Sequence, residues 1–126
     1  MRVLADTNLF VFFCRRLPLA PKVEAALKTP ATERCLSAAS IIEVFRLWQA
    51  GRIPDNPDTW LDLALPSWTV LPMTTPIARQ SVLWPWAYRD PADRIIAATA
   101  RAFHLTLVTC DRKLIASPHV KTLSTR

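Results

Sequence analysis

The sequence predicts an α/β fold in which helices cover both faces of a central parallel sheet of four to five strands. Short apolar runs alternate with helix-patterned segments along the chain, and two of these runs end beside an acid. The 126 residues, 51% of them hydrophobic, suffice for one packed core, so the reading is of a single domain over residues 1–126. In a sheet of this kind, functional groups collect at the carboxyl ends of the strands.

Arg2 to Ala5 is a short apolar run closed by Asp6, the pattern of a buried parallel strand that opens into a cleft. Thr7 to Phe13 continues as a short helix. Pro18 to Leu27 forms another, with Val23, Ala26 and Leu27 at helical spacing and Thr29-Pro30 ending it. Arg34-Cys35-Leu36 is a second strand. Ser37 then serves as N-cap for a helix reaching about Ala50, where Gly51 stops it; Ile41, Val44, Phe45 and Trp48 are its core stripe. Pro57 to Leu65 reads as one helix closed by Pro66, and Trp68 to Leu71 as a third strand ended by Pro72. Thr75 to about Leu83 is helical. Asp90-Pro91 has the grammar of a helix start, an N-cap acid before a proline at the first helical position, and the helix runs on through Phe103. Leu105 to Thr109 is a fourth buried strand with Asp111 just beyond it, and Val120 to Leu123 a fifth at the sheet edge.

Several chemistries are excluded early. No apolar stretch approaches the roughly 18 residues of a membrane span. The opening residues lack a signal-peptide pattern because Asp6 interrupts the apolar run, so a cytoplasmic location is expected. Cys14, Cys35 and Cys110 are odd in number and far apart, which argues against a disulfide framework or a zinc knuckle. With two histidines, His104 and His119, and no nucleophile-elbow serine, catalysis would lean on carboxylates.

The net charge of +6, with 12 arginines among 16 basic residues, suits a polyanionic partner or simply a basic surface. The acids are more specific. Asp6 follows the first strand, Asp93 lies in the first turn of the clearest helix, and Asp111 follows the fourth strand; Glu43 interrupts the apolar run Ile41 to Phe45, where an uncompensated carboxylate is costly. Carboxylates with few histidines suit a hard divalent cation, Mg²⁺ or Mn²⁺, which activates water and steadies displacement at a phosphodiester. Without the ion such a cluster repels itself, so one carboxyl is expected to titrate abnormally high. Once these four of the ten acids are set aside, six remain against 16 basic residues, an acidic pit on a basic surface.

Asp6-Thr7-Asn8 after the first strand, Ser40-x-x-Glu43 on a helix, Asp90-Pro91-x-Asp93-Arg94-x-x-x-Ala97-Ala98, and Thr109-x-Asp111 resemble the four motifs of PIN-domain nucleases, and their order and spacing resemble those of the VapC toxins of bacterial toxin–antitoxin pairs. The resemblance spans essentially the whole chain. It implies a three-layer α/β/α fold, metal-dependent ribonuclease activity on single-stranded or looped RNA, a cognate VapB-like antitoxin, and a homodimer or toxin–antitoxin hetero-oligomer. Carried over residue by residue, it makes Asp6, Glu43, Asp93 and Asp111 the metal-binding catalytic acids. Asp90 would be a fifth ligand or only a helix cap, and Asn8, Ser40 and Thr109 hydrogen-bonding supports. Arg94, Arg112 and Lys113, beside these acids, are candidate contacts to substrate phosphates, and Trp84 and Trp86 candidate base-stacking residues. An apolar groove for the antitoxin is expected around Phe10, Phe12, Phe13 and Trp48. The sequence departs from the family pattern in having Gly51 as its single glycine and in the Trp84-Pro85-Trp86 segment before the third motif.

Two other readings compete. A phosphatase or phospho-accepting receiver also places aspartates at strand ends with Mg²⁺, but here the first strand ends in Asp6-Thr7-Asn8 rather than Asp-x-Asp, and Trp68 to Met73 contains no acid. A non-catalytic PIN-like module binding nucleic acid or protein is the other, although an inert site has no physical need to keep repelling carboxylates together.

Overall fold

A computed structural model describes residues 1–85, 89–117 and 120–124; Trp86 and His119 fall outside them. Five parallel strands form one sheet, β1 (Arg2–Ala5), β2 (Glu33–Ser37), β3 (Thr69–Leu71), β4 (Thr106–Thr109) and β5 (Thr122–Ser124), in the spatial order β3-β2-β1-β4-β5. The chain winds outward from β1 in both directions. The order therefore reverses between β1 and β4, and at such a switch point the crossover helices diverge and leave a crevice at the carboxyl ends.

Successive strand residues face opposite sides, and the sheet sorts its core accordingly. Val3, Ala5, Leu36 and Val108 pack into one cluster with Leu9, Phe10, Val23, Leu27 and Val44 from α1 (Thr7–Cys14), α2 (Pro21–Lys28) and α3 (Ala38–Gln49). Leu4, Cys35 and Leu107 enter the other with Ile77, Ile96, Ala97 and Ala100 from α5 (Thr75–Leu83) and α6 (Pro91–Ala102). Helices thus cover both faces, the three-layer arrangement. Among the described residues no helix is long and apolar enough to cross a membrane.

Local grammar explains most element boundaries. The Ser37 hydroxyl accepts from Ala39 N–H at 3.1 Å and starts α3. At its other end Gly51, at φ +77°, closes a Schellman turn in which Gly51 N–H reaches Trp48 O and Arg52 N–H reaches Leu47 O. Three expectations need correction. The second helix starts at Pro21, whose ring presets the first helical φ, rather than at Pro18. The stretch from Pro57 is not one helix: 3₁₀ turns at Pro57–Thr59 and Leu65–Ser67 flank the single α-turn α4 (Leu61–Ala64), and the backbone leaves helical geometry at Trp60, whose ring lies 6.1 Å from that of Phe10. A short helix not expected, α7 (Arg112–Ile115), follows β4.

The aromatic residues also sort differently from the sequence reading. Phe10 is fully buried, edge-on to Trp68 at 5.0 Å, and Phe13 meets Trp68 at 5.5 Å, so both build the core. Of the four residues read as an apolar docking groove, only Phe12 is exposed. Trp84 is buried in the second cluster with the Arg101 guanidinium over its ring, which removes it as a base-stacking candidate.

Candidate functional site

At the switch point, the buried Asp6 side chain serves two elements at once. Its Oδ1 accepts from Leu9 N–H at 2.9 Å and caps α1, while Oδ2 accepts from the Thr109 hydroxyl, 2.5 Å away at the end of β4. The Thr109 oxygen in turn accepts from Asp111 N–H at 3.0 Å. The two neighbouring strand ends are thus locked to each other by side chains 103 residues apart in sequence. Burial raises the Asp6 pKa; the bonds from Thr109 and Leu9 oppose the shift, and the charges of Asp111 and Glu43 reinforce it. One carboxyl does titrate high, and desolvation rather than like-charge repulsion is the leading cause.

Two more acids are helix caps. Asp111 accepts from Lys113 N–H at 2.8 Å and Leu114 N–H at 3.4 Å to start α7, and Asp90 accepts from Ala92 N–H at 2.9 Å and Asp93 N–H at 3.3 Å to start α6. Together with Glu43 on α3 and Asp93 in the first turn of α6, these residues line one cleft of about 580 Å³. All five candidate acids therefore reach the same cavity, joined by Asn8, Arg112 and Lys113.

Thr109 and Ser40 lie behind that wall. Ser40 is fully buried and accepts a hydrogen bond from the Thr7 hydroxyl at 2.9 Å, tying α3 to α1; its contact is to Thr7, not to an acid. Arg94 is not a cleft residue. Its Nε donates to Ser81 O, and Nη2 donates to Trp84 O at 2.7 Å and Val82 O at 3.3 Å, so its guanidinium caps the carbonyls at the end of α5 instead of facing a substrate. The carbonyls at the end of a helix need such donors, and a motif cannot reveal which helix supplies them.

Four lining residues were not singled out from sequence: Thr7, Leu47, Arg52 and Cys110. Thr7 sits inside the first motif. Arg52 carried a signal, since a residue directly after a helix-ending glycine is turned back along the helix it leaves.

Among the described residues no group of three or more acidic, histidine or cysteine side chains stands close enough together to hold a metal ion as placed. The donor chemistry nevertheless fits a hard divalent cation. The cleft offers carboxylate and hydroxyl oxygens, and its buried Asp6 needs a countercharge to hold its ionised form.

Fold and site together define a doubly wound α/β protein with a carboxylate-lined cleft at its switch point. The PIN-domain family model matches residues 3–118, and the chain belongs to that family. No curated protein matches it in sequence. Solved structures do resemble its fold. A chain of VapBC2 from Rickettsia felis, bound to a DNA fragment from its promoter, superposes with a TM-score of 0.73 at 17% identity over 98% of both chains. A toxin–antitoxin complex from Klebsiella pneumoniae gives 0.71 at 20% identity, again over 98% of both. DNA-bound VapBC from Salmonella typhimurium gives 0.71 at 20%, over 100% of this chain and 99% of that one.

Proposed function

We propose that the protein is a VapC-type toxin, a Mg²⁺- or Mn²⁺-dependent endoribonuclease held in check by a VapB-like antitoxin. The observation that carries this reading is Asp6: a carboxylate buried at a strand switch point, its pKa raised further by Glu43 and Asp111, is costly to keep unless its charge is used. The likeness to chains of toxin–antitoxin complexes supports the partner.

In this reading Asp6, Glu43, Asp93 and Asp111 hold the cation, with Asp90 at the mouth either contributing charge or only capping α6. When bound there, the ion would supply Lewis-acid stabilisation of the phosphodiester and lower the pKa of water. Thr109 orients the Asp6 carboxylate by donating its hydroxyl to Oδ2. Arg112 and Lys113, exposed at the start of α7, position substrate phosphates as fork and point charge respectively. Ser40 and Thr7 keep α1 and α3, and hence Asp6 and Glu43, in register.

The test is incubation of purified protein with mixed-sequence single-stranded RNA, with Mg²⁺, Mn²⁺ or chelator, beside a double variant Asp6→Asn, Asp93→Asn. Metal-dependent cleavage by the wild type, abolished in the variant and by chelator, is expected. Folded, antitoxin-free protein that neither cleaves nor binds Mn²⁺ in a titration would instead make this a non-catalytic binding module.

A further inference from the structure

Beside the carboxylate cleft lies a second, less polar groove of about 630 Å³, within the roughly 300–1,000 Å³ of small-ligand sites. One wall is the face of α3 that presents Ala39, Ile42 and Arg46, and the other is the start of α6 with Ala92 and Ile95. The two cavities are contiguous, because Glu43, Leu47, Arg52 and Asp90 line both. Ile42 is 52% exposed, a β-branched apolar side chain left in solvent directly beside a catalytic candidate. Arg46 and Arg52 also line the groove, two cations in a lining whose acids, Glu43 and Asp90, are shared with the cleft.

We propose that this groove is the subsite for one unpaired base of the RNA next to the scissile phosphate, with Ile42 and Ile95 contacting the base face and Arg46 taking the adjoining phosphate. The proposal rests on the RNA-cleaving reading of the neighbouring cleft. It follows from three properties found together: apolar walls that accept a base face without demanding its hydrogen-bonding edge, cations that complement the RNA backbone, and an unbroken path to the carboxylates. A flat apolar face alone would suit a protein partner, but two arginines at its rim and the shared wall favour a nucleotide. The groove thereby confers preference through shape and apolar contact, whereas the cleft acts on the phosphodiester that every RNA shares.

Ile42→Ala is the diagnostic substitution, since an exposed side chain can be truncated without opening a cavity. Binding is measured by fluorescence anisotropy in the Asp6→Asn background, so that the RNA survives. The probes are a pool of labelled single-stranded heptamers, the best-bound member of that pool, and versions of it carrying one abasic nucleotide at each position in turn. Ile42→Ala is expected to weaken binding of the intact heptamer on the order of tenfold, and to make no difference for the one heptamer that is abasic at the position seated in the groove. Arg46→Ala is expected to weaken all of them and to lower the salt dependence by about one charge.

Equal affinity of both proteins for every intact heptamer would overturn the subsite. So would failure of any heptamer to bind, or a change in oligomeric state by light scattering in Ile42→Ala without a change in RNA affinity, which would make the groove a protein interface. The two readings fail separately. Wild-type protein that cleaves RNA while Ile42→Ala binds normally loses the subsite and keeps the nuclease. Protein that shows the abasic pattern but never hydrolyses RNA keeps the subsite and loses the nuclease.

Discussion

The floor and the rim of the cleft use the same residue type under opposite conditions. On the floor, Asp6 is buried, tied to Leu9 and Thr109, and driven toward its neutral form. At the rim, Asp90 makes the same kind of capping bonds from an exposed position. A helix cap is satisfied equally well in either place, so capping alone does not explain why the floor carboxylate stays where desolvation penalises it. The difference singles out Asp6 as the carboxylate whose place local helix formation does not explain, and the proposed cation role rests on that difference.

The largest expected effect comes from removing the floor charge. Asp6→Asn keeps an oxygen for Leu9 N–H yet should lower RNA cleavage by at least about a hundredfold, measured as single-turnover rate with Mn²⁺. The same substitution should stabilise the metal-free protein by about 1 kcal/mol, as relief of a strained functional site commonly does. The pH dependence has a defined sign. Because the folded pKa of Asp6 lies above its unfolded value, the native state binds the extra proton, so this residue's contribution to stability rises as pH falls through the folded pKa and levels off below the unfolded one. Melting temperature followed downward from pH 7 should show that component in the wild type and not in Asp6→Asn.

Thr109→Val comes next. It removes the hydroxyl that donates to Asp6 and accepts from Asp111 N–H, so the Asp6 pKa should climb further and cleavage fall about 10- to 100-fold. A buried carboxylate and a half-buried N–H also lose their partner, at about 1–3 kcal/mol in denaturant unfolding. Full activity in this variant would mean that the floor is held by packing alone.

The rim is expected to respond less. Asp90→Ala should cost about 1 kcal/mol of stability through the lost cap, and Asp90→Asn almost none; cleavage that drops in the Asn variant as well would show the charge of Asp90 at work and move it into the floor's class. Lys113→Ala should raise KM for RNA only a few-fold and reduce its salt dependence by about one charge, leaving kcat unchanged.

What was legible in the sequence follows the range of the interactions. The Asp90-Pro91 start of α6, the Ser37 cap of α3 and the Gly51 stop each depend on neighbours within a few residues, and each appeared where local grammar put it. The ordered acids were equally visible, because every one of them lies at an element's end or on a recognisable helix. The errors arose where a residue's role depends on what a distant segment brings to it. Arg94 sits in a motif but caps α5, Trp84 looked free to stack but is sealed under Arg101, and Trp60 falls at the break between two short helical turns with its ring beside Phe10.

By itself, the sequence determined the alternation of strands and helices, their caps, and the set of carboxylates available for chemistry, since these are written in hydrophobic period and short-range hydrogen bonding. Only the tertiary structure decided that β1 and β4 are neighbours, that Thr109 therefore meets Asp6 across 103 residues, and that Ile42 and Arg46 flank the acids as a groove. Strand order is settled by burial of both sheet faces at once, a property of the whole packed chain that no local window contains.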